Sequence, residues 1–221
     1  MQTDAQLCEL VANAYLDPAT VSGPNDEKAL LFDNDDELVI AITGTKSLPG
    51  WVCDFEFWPE NDVRLGRVHR GFLRNGVSLW GLLKDRILAA SLKGQKITIA
   101  GHSLGAVEGQ IIAAEALAIG FKGKIRLVGF GSPRWALWSN HTVRRLFDTV
   151  PVKLYKRASD PVPHVPFSRL LWFIPWYGHI RENIVIGASL PSSDWTFPLD
   201  PVNDKNHGVL YYLKDMQAKC E

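Results

Sequence analysis

Lys96-Ile97-Thr98-Ile99-Ala100-Gly101-His102-Ser103-Leu104-Gly105 sets a short β-rich run directly against a glycine-flanked serine. Beyond the serine, Leu104, Val107, Ile111, Ile112 and Leu117 recur every three to five residues or closer, an apolar stripe of helical period. The local reading is strand, tight turn, helix, with Ser103 at the corner. A serine hydroxyl is a poor nucleophile at neutral pH unless a base takes its proton and donors receive the charge it transfers. A G-x-S-x-G corner supplies the geometry, because small flanking residues let the strained turn pass between strand and helix. The helix that follows aims its positive N-terminal end at the developing oxyanion. In a chain with 18 glycines the five-residue pattern is weak by itself. Its place at a strand-to-helix junction separates it from a glycine-rich turn that merely packs tightly.

Outward from this corner the pattern repeats. Ala29 to Phe32, the turn Asp33 to Asp36, and Leu38 to Ile42 read as strand, turn, strand. Ile125 to Phe130, Val152 to Tyr155 and Ile184 to Ile186 are further strand-like runs, while Arg70 to Leu92, Asn140 to Phe147 and the tail from Gly208 suit helices. Leu7, Leu10, Val11, Tyr15 and Leu16 suit an amphipathic first helix. Alternating strands and helices predict an α/β architecture with a mainly parallel central sheet flanked by helices. With the serine corner, that is the α/β-hydrolase fold, as a single domain over residues 1–221.

Composition narrows the function. Apolar residues make up 46% and charged residues 22%, and 24 basic residues balance 24 acidic ones. No net field is present to gather nucleic acid or an anionic membrane, so nucleic acid is not expected as a partner. The start carries no basic region followed by an apolar stretch, which predicts a leaderless or cytoplasmic chain. The most apolar stretch, Leu170 to Tyr177, is too short to span a bilayer and contains Pro175. Cys8, Cys53 and Cys220 cannot all pair within one chain and lack metal-ligand spacing, so they read as reduced thiols with no metal.

In this fold the acid and the base follow the serine in the order acid, then histidine. Asp160 comes shortly after the strand-like Val152 to Tyr155. Three histidines follow it. His164 lies four residues on in the same loop, His179 precedes the strand-like Ile184 to Ile186, and His207 stands between the last strand and the final helix. His102 is next to the nucleophile but points differently, which suits packing or hydrogen bonding better than proton transfer. One oxyanion donor is expected to be the backbone N–H of Leu104.

Five segments in order resemble the fungal-type class 3 lipase family over most of the chain. They are Ile42-Thr43-Gly44-Thr45, Val68-His69-Arg70-Gly71-Phe72, Gly101 to Gly105, Gly131-Ser132-Pro133-Arg134 and Asp160-Pro161-Val162-Pro163. Two details depart from the pattern: Thr43 stands where the family usually has Arg, and Trp135-Ala136 where glycine commonly follows. The resemblance implies a serine carboxylic-ester hydrolase, a lipase or esterase acting without a cofactor. It implies Thr45 as the second oxyanion donor, Asp160 as the acid and His207 as the catalytic base. His179 resembles a separate Tyr-x-His segment of the family.

Leu48, Trp51, Val52, Phe55 and Trp58 form an apolar stripe at helical spacing within residues 46–62, where related lipases carry a lid. A lid helix and an ordinary helix packed on the core are both open readings. Residues 166–178, with Trp172, Phe173 and Trp176, suit a loop that walls an acyl pocket or meets a lipid interface. These walls favour hydrophobic ester or lipid substrates. The alternatives are a phospholipase A1, a feruloyl-type esterase, or a non-catalytic binding protein that keeps the fold.

Overall fold

Strand alternation builds the centre of the molecule. In β3 (Glu37–Ile42), Leu38, Ile40 and Ile42 enter one apolar cluster, whereas Val39 and Ala41 enter another. Successive side chains of a strand point to opposite faces, so a strand apolar on both must be covered on both. β6 (Lys96–His102) repeats the division, with Ile97 and Ile99 on the first side and Ala100 on the second. β7 (Ile125–Phe130) does so again, with Ile125 and Leu127 against Val128 and Phe130. Each such side chain contributes roughly 1.5–3 kcal/mol when fully buried.

The computed structural model describes residues 2–18, 21–23, 28–45, 58–121, 123–166, 176–187 and 200–218. β1 (Val21–Ser22), β2 (Lys28–Asp33), β9 (Val152–Arg157) and β11 (Asn183–Ile186) complete the main sheet, in the order β1-β2-β3-β6-β7-β9-β11. From β3 to β11 every neighbouring pair is parallel, and β1 and β2 are antiparallel. α2 (Arg70–Leu92), α3 (Leu104–Ala118) and the short α4 (His141–Leu146) supply Leu83, Ile87, Val107, Ile111 and Val143 to the first cluster. α1 (Asp4–Ala14) and α5 (Val209–Ala218) supply Leu7, Val11, Tyr212 and Met216 to the second. The mainly parallel sheet flanked by helices is the α/β-hydrolase fold expected from the sequence. Among the described residues no helix is long and apolar enough to cross a membrane.

A second sheet was not foreseen. β4 (Pro59–Asp62), β5 (Gly66–His69), β8 (Ala136–Leu137) and β10 (Tyr177–Gly178) pair antiparallel in the order β10-β8-β5-β4. Runs of two to four residues carry too little periodicity to read as strands. Pro59 to Asp62, the end of the lid candidate 46–62, is therefore edge strand and not helix, and residues 46–57 lie outside those described. Tyr177 and Gly178, the end of the apolar loop 166–178, are strand as well.

The first helix is fastened at its start. Thr3 and Gln6 form a reciprocal capping box, each side chain accepting the other's backbone N–H. Asp4 then reaches the sheet, accepting from Lys153 Nζ and the Tyr155 hydroxyl at 2.7 Å each, and from Arg126. Burial works against ionisation, but the bonds from Lys153 and Tyr155 and the positive charge of Arg126 outweigh it and hold the carboxyl below its usual value. Asp4→Asn should therefore lower the unfolding free energy by about 1.5–3 kcal/mol near neutral pH. A carboxyl depressed in the folded state stabilises fully above its unfolded value of about 4 and loses that contribution as pH falls through the lower folded value. Urea melts of wild type and variant should thus differ at pH 6 and converge as the pH is taken well below 4.

Candidate active site

Ser103 leaves β6 at φ 58 and ψ −124, making it the non-glycine residue with positive φ among the described residues. That backbone region is costly for an L side chain, by about 1–3 kcal/mol. The corner survives because its neighbours over-determine it. A Cβ on Gly101 would lie 2.3 Å from the Gly105 carbonyl oxygen, and one on Gly105 would lie 2.3 Å from the Thr43 oxygen. Glycine at both places lets the strand pass the helix and lets the helix approach the end of β3. Leu104 opens α3, so its N–H is among those a helix leaves without an intrahelical carbonyl. The segment carrying Thr45 lies against the same corner, and Thr45 is buried. The Thr43 hydroxyl accepts the Lys28 N–H at 2.8 Å and so is spent within the sheet.

Asp160 follows β9 after two residues and is 1% exposed. Its Oδ1 accepts the Val162 N–H at 2.8 Å, which orients the carboxylate through a short turn. Its Oδ2 accepts from His207 Nδ1 at 2.8 Å and from the Tyr212 hydroxyl at 2.5 Å. A ring whose Nδ1–H is donated to a carboxylate presents Nε2 as an acceptor. Ser103 Oγ and His207 Nε2 are both buried and have no hydrogen-bond partner among the described residues. They are the open ends of the constellation, as is common before substrate draws such groups together.

His207 is held through its loop. Asp204 Oδ1 accepts the N–H groups of Asn206 and His207 at 2.8 and 3.0 Å. Arg157 donates to the carbonyls of Lys205 and Asn206 and pairs with Asp215 of α5 at 2.6 Å. His179 is elsewhere: its Nε2 lies 2.8 Å from the Pro163 carbonyl, and burial drives the ring down to about 4. The structure therefore brings Asp160 to His207 and not to His179. His164 sits in the short helical turn after Asp160, partly exposed.

Comparison with known proteins identifies the family and the fold. Residues 39–170, more than half of the chain, match the family model Lipase (class 3). This chain belongs to the class 3 lipase family. A triacylglycerol lipase described as having a serine protease triad at its catalytic centre superposes with a TM-score of 0.73 at 20% identity, covering 93% of this chain and 95% of that one. The triacylglyceride lipase of Rhizomucor miehei gives a TM-score of 0.69 at 21% identity, over 83% and 78%. The Rhizomucor miehei lipase propeptide complex gives 0.62 at 21% identity, over 76% of this chain and 55% of that one, so this chain spans just over half that length. Identities this low speak to the shared fold. Among curated protein sequences none matches this chain significantly.

Family motifs that looked like isolated signatures acquire physical roles. Gly131 has φ +62 and donates its N–H to Tyr155, and a Cβ there would come within 2.8 Å of the His207 ring. Gln110 of α3 donates to Ser132 and accepts from Trp135 Nε1, both at 2.8 Å, fixing the chain next to that glycine. Arg134 donates to the carbonyls of His164 and Pro166 and so braces the loop after Asp160. His69 caps α2, accepting the Phe72 N–H at 3.4 Å. Sequence reasoning missed Tyr212, Arg157 and Tyr15, whose roles arise from long-range contacts that leave no local spacing.

Of the residues expected to meet substrate, Trp51, Phe55, Trp172 and Phe173 lie outside those described. Trp176 is half exposed at the entrance to β10, its carbonyl accepting the Trp138 N–H at 2.8 Å. Among the described residues no cluster of His, Cys, Asp and Glu could hold a metal ion.

Strain at the nucleophile gives a direct test of this geometry. Ser103→Gly relieves the positive φ and removes a buried hydroxyl without a partner, which should outweigh the added freedom of the unfolded chain. Chemical melts should show the variant about 1 kcal/mol more stable than wild type. Ser103→Ala, which keeps the strain, should gain less.

Proposed function

We propose that this chain hydrolyses hydrophobic carboxylic esters through a Ser103–His207–Asp160 triad and an acyl-enzyme. The observation that carries the reading is the buried Asp160–His207 couple, whose Nε2 is without a hydrogen bond among the described residues, as is the hydroxyl of the strained Ser103. A binding protein that merely kept the fold would gain nothing from holding these groups desolvated and open.

In this mechanism His207 Nε2 takes the Ser103 proton as Oγ attacks the ester carbonyl. The new oxyanion accepts the backbone N–H groups of Leu104 and Thr45, while Asp160 stabilises the imidazolium. His207 then gives its proton to the departing alcohol, leaving Ser103 acylated. Water repeats the cycle with His207 as base and releases the acid. No step calls for a cofactor. The apolar sequences of 46–62 and 166–178 support acyl-glycerol or similar lipid esters as substrates, with contact at a lipid interface.

A fluorophosphonate probe should label the wild-type protein at Ser103 and leave Ser103→Ala unlabelled; an unlabelled wild type would overturn the reading. His207→Ala and Asp160→Asn should each lower kcat for p-nitrophenyl esters by about 10³–10⁴ or more, whereas His179→Ala should stay within about tenfold of wild type. Rates against esters of increasing acyl length, measured below and above the solubility limit, distinguish a lipase from a phospholipase A1 or a feruloyl-type esterase.

A further inference from the structure

His102 adjoins the nucleophile, yet its ring points away from the Ser103 side and is fully buried on the α1 and α5 face, against the rings of Tyr15, His207 and Tyr212. Its two nitrogens have one partner each. Nε2 lies 2.8 Å from the backbone carbonyl of His207, and Nδ1 lies 2.8 Å from the hydroxyl of Tyr15, the residue that ends α1. The same hydroxyl receives the Gly44 N–H at 2.7 Å. Gly44 immediately precedes Thr45.

Chemistry allows one proton arrangement. A carbonyl only accepts, so Nε2 must carry the hydrogen. Burial, then the neighbouring His207 ring, hold His102 far below the ordinary histidine value, so it stays neutral. Nδ1 is therefore bare and needs a donor, which is the Tyr15 O–H. The Tyr15 oxygen in turn accepts from Gly44. The bonds run Gly44 N–H to Tyr15, Tyr15 O–H to His102 Nδ1, and His102 Nε2–H to the His207 carbonyl, with every donor used once. One consequence is immediate: the Gly44 amide is occupied and is no oxyanion donor.

We propose that Tyr15 and His102 are positioning residues, a hydrogen-bonded strap that sets the oxyanion segment and the general base at a fixed separation on either side of Ser103. This rests on the triad reading above. The strap touches neither the reacting atoms nor the acyl group. It acts by fixing the backbone at Gly44–Thr45 and at His207, where displacements of about 1 Å cost on the order of 100-fold in rate.

Tyr15→Phe keeps the ring and removes the link. Per active site titrated with fluorophosphonate, its kcat for p-nitrophenyl butyrate should fall about 10–100-fold with KM within about twofold, and affinity for a trifluoromethyl ketone, which forms a tetrahedral oxyanion, should fall in parallel. His102→Gln, whose amide nitrogen can replace Nε2–H toward His207, should retain more activity than His102→Ala. Because both residues act in one chain of bonds, the loss in Tyr15→Phe/His102→Ala should be no greater than in the worse single variant. Multiplying losses, or a Tyr15→Phe kcat per titrated site within about threefold of wild type, would overturn the proposal. Nitrogen-15 NMR of the wild-type protein tests it without activity or variants: His102 should be the neutral Nε2–H tautomer, and an Nδ1–H tautomer would remove the strap even in a fully active enzyme. If wild type fails to react with fluorophosphonate while His102 shows the expected tautomer, the triad reading is what fails, and with it the strap's catalytic role.

Discussion

The absence of room for a side chain at Gly101 and Gly105 is the constraint on which the rest of the site depends. With no Cβ at either place, β6 runs against the first turn of α3 and that turn against the end of β3. Three elements are thereby brought together at one point. The corner between them can be turned only with Ser103 at positive φ, so the serine is presented because the packing leaves it no other conformation. Strain of about 1–3 kcal/mol persists here because buried apolar area on both faces of the sheet exceeds it many times over. The same closeness sets the segment after β3 against Ser103 at the start of α3.

Around that corner the two faces of the sheet divide the work. The α2 and α3 face holds the larger apolar cluster, with α3 buried along nearly its whole length, Glu108, Gln110 and Glu115 included. The α1 and α5 face carries the polar machinery: Asp160, His207, His102, Tyr15 and Tyr212 are all buried there or at its edge. In so dry a setting every hydrogen bond is strengthened and every unmet group is costly. Among the described residues Ser103 Oγ and His207 Nε2 are buried without a hydrogen bond, whereas Asp160, His102, Tyr15 and Tyr212 are all bonded. Under the proposed mechanism these two desolvated atoms are the ones that the reacting ester engages.

Much of this was legible in the sequence, for reasons that can be named. β3, β6 and β7 are apolar on both faces and bounded by turns, so their existence and parallel pairing follow from period and length. α2 and α3 were readable from apolar spacing, Asp160 from its place after a strand-like run, and His207 from the family resemblance, since order alone left three histidines open. What was hidden depends on contacts between distant segments. Tyr15 and His102 are 87 residues apart, and Asp160 and Tyr212 52 apart; neither pair has a spacing that a helix or strand would impose. The four short strands of the second sheet were hidden for the opposite reason, since two to four residues cannot display a period. The apolar stripe beginning at Leu48 misled at its far end, because Pro59 to Asp62 continue as edge strand once paired with β5.

The termini of the described chain are therefore not accessories to the catalytic centre. Tyr15 comes from α1 and Tyr212 from α5, and these helices pack on each other over the sheet. Arg157 ties α5 to the loop before His207, and Asp4 ties α1 to β7 and β9 through Arg126, Lys153 and Tyr155. A change that loosens either helix acts on the base and the oxyanion segment without touching Ser103, whose corner is fixed by the opposite face. Helix docking and nucleophile geometry are thus separable: the elbow can stay intact while the groups that would activate it drift out of register. Loss of activity ahead of loss of the sheet is the expected order of failure, because a terminal helix can shift while the ladders of the sheet stay paired.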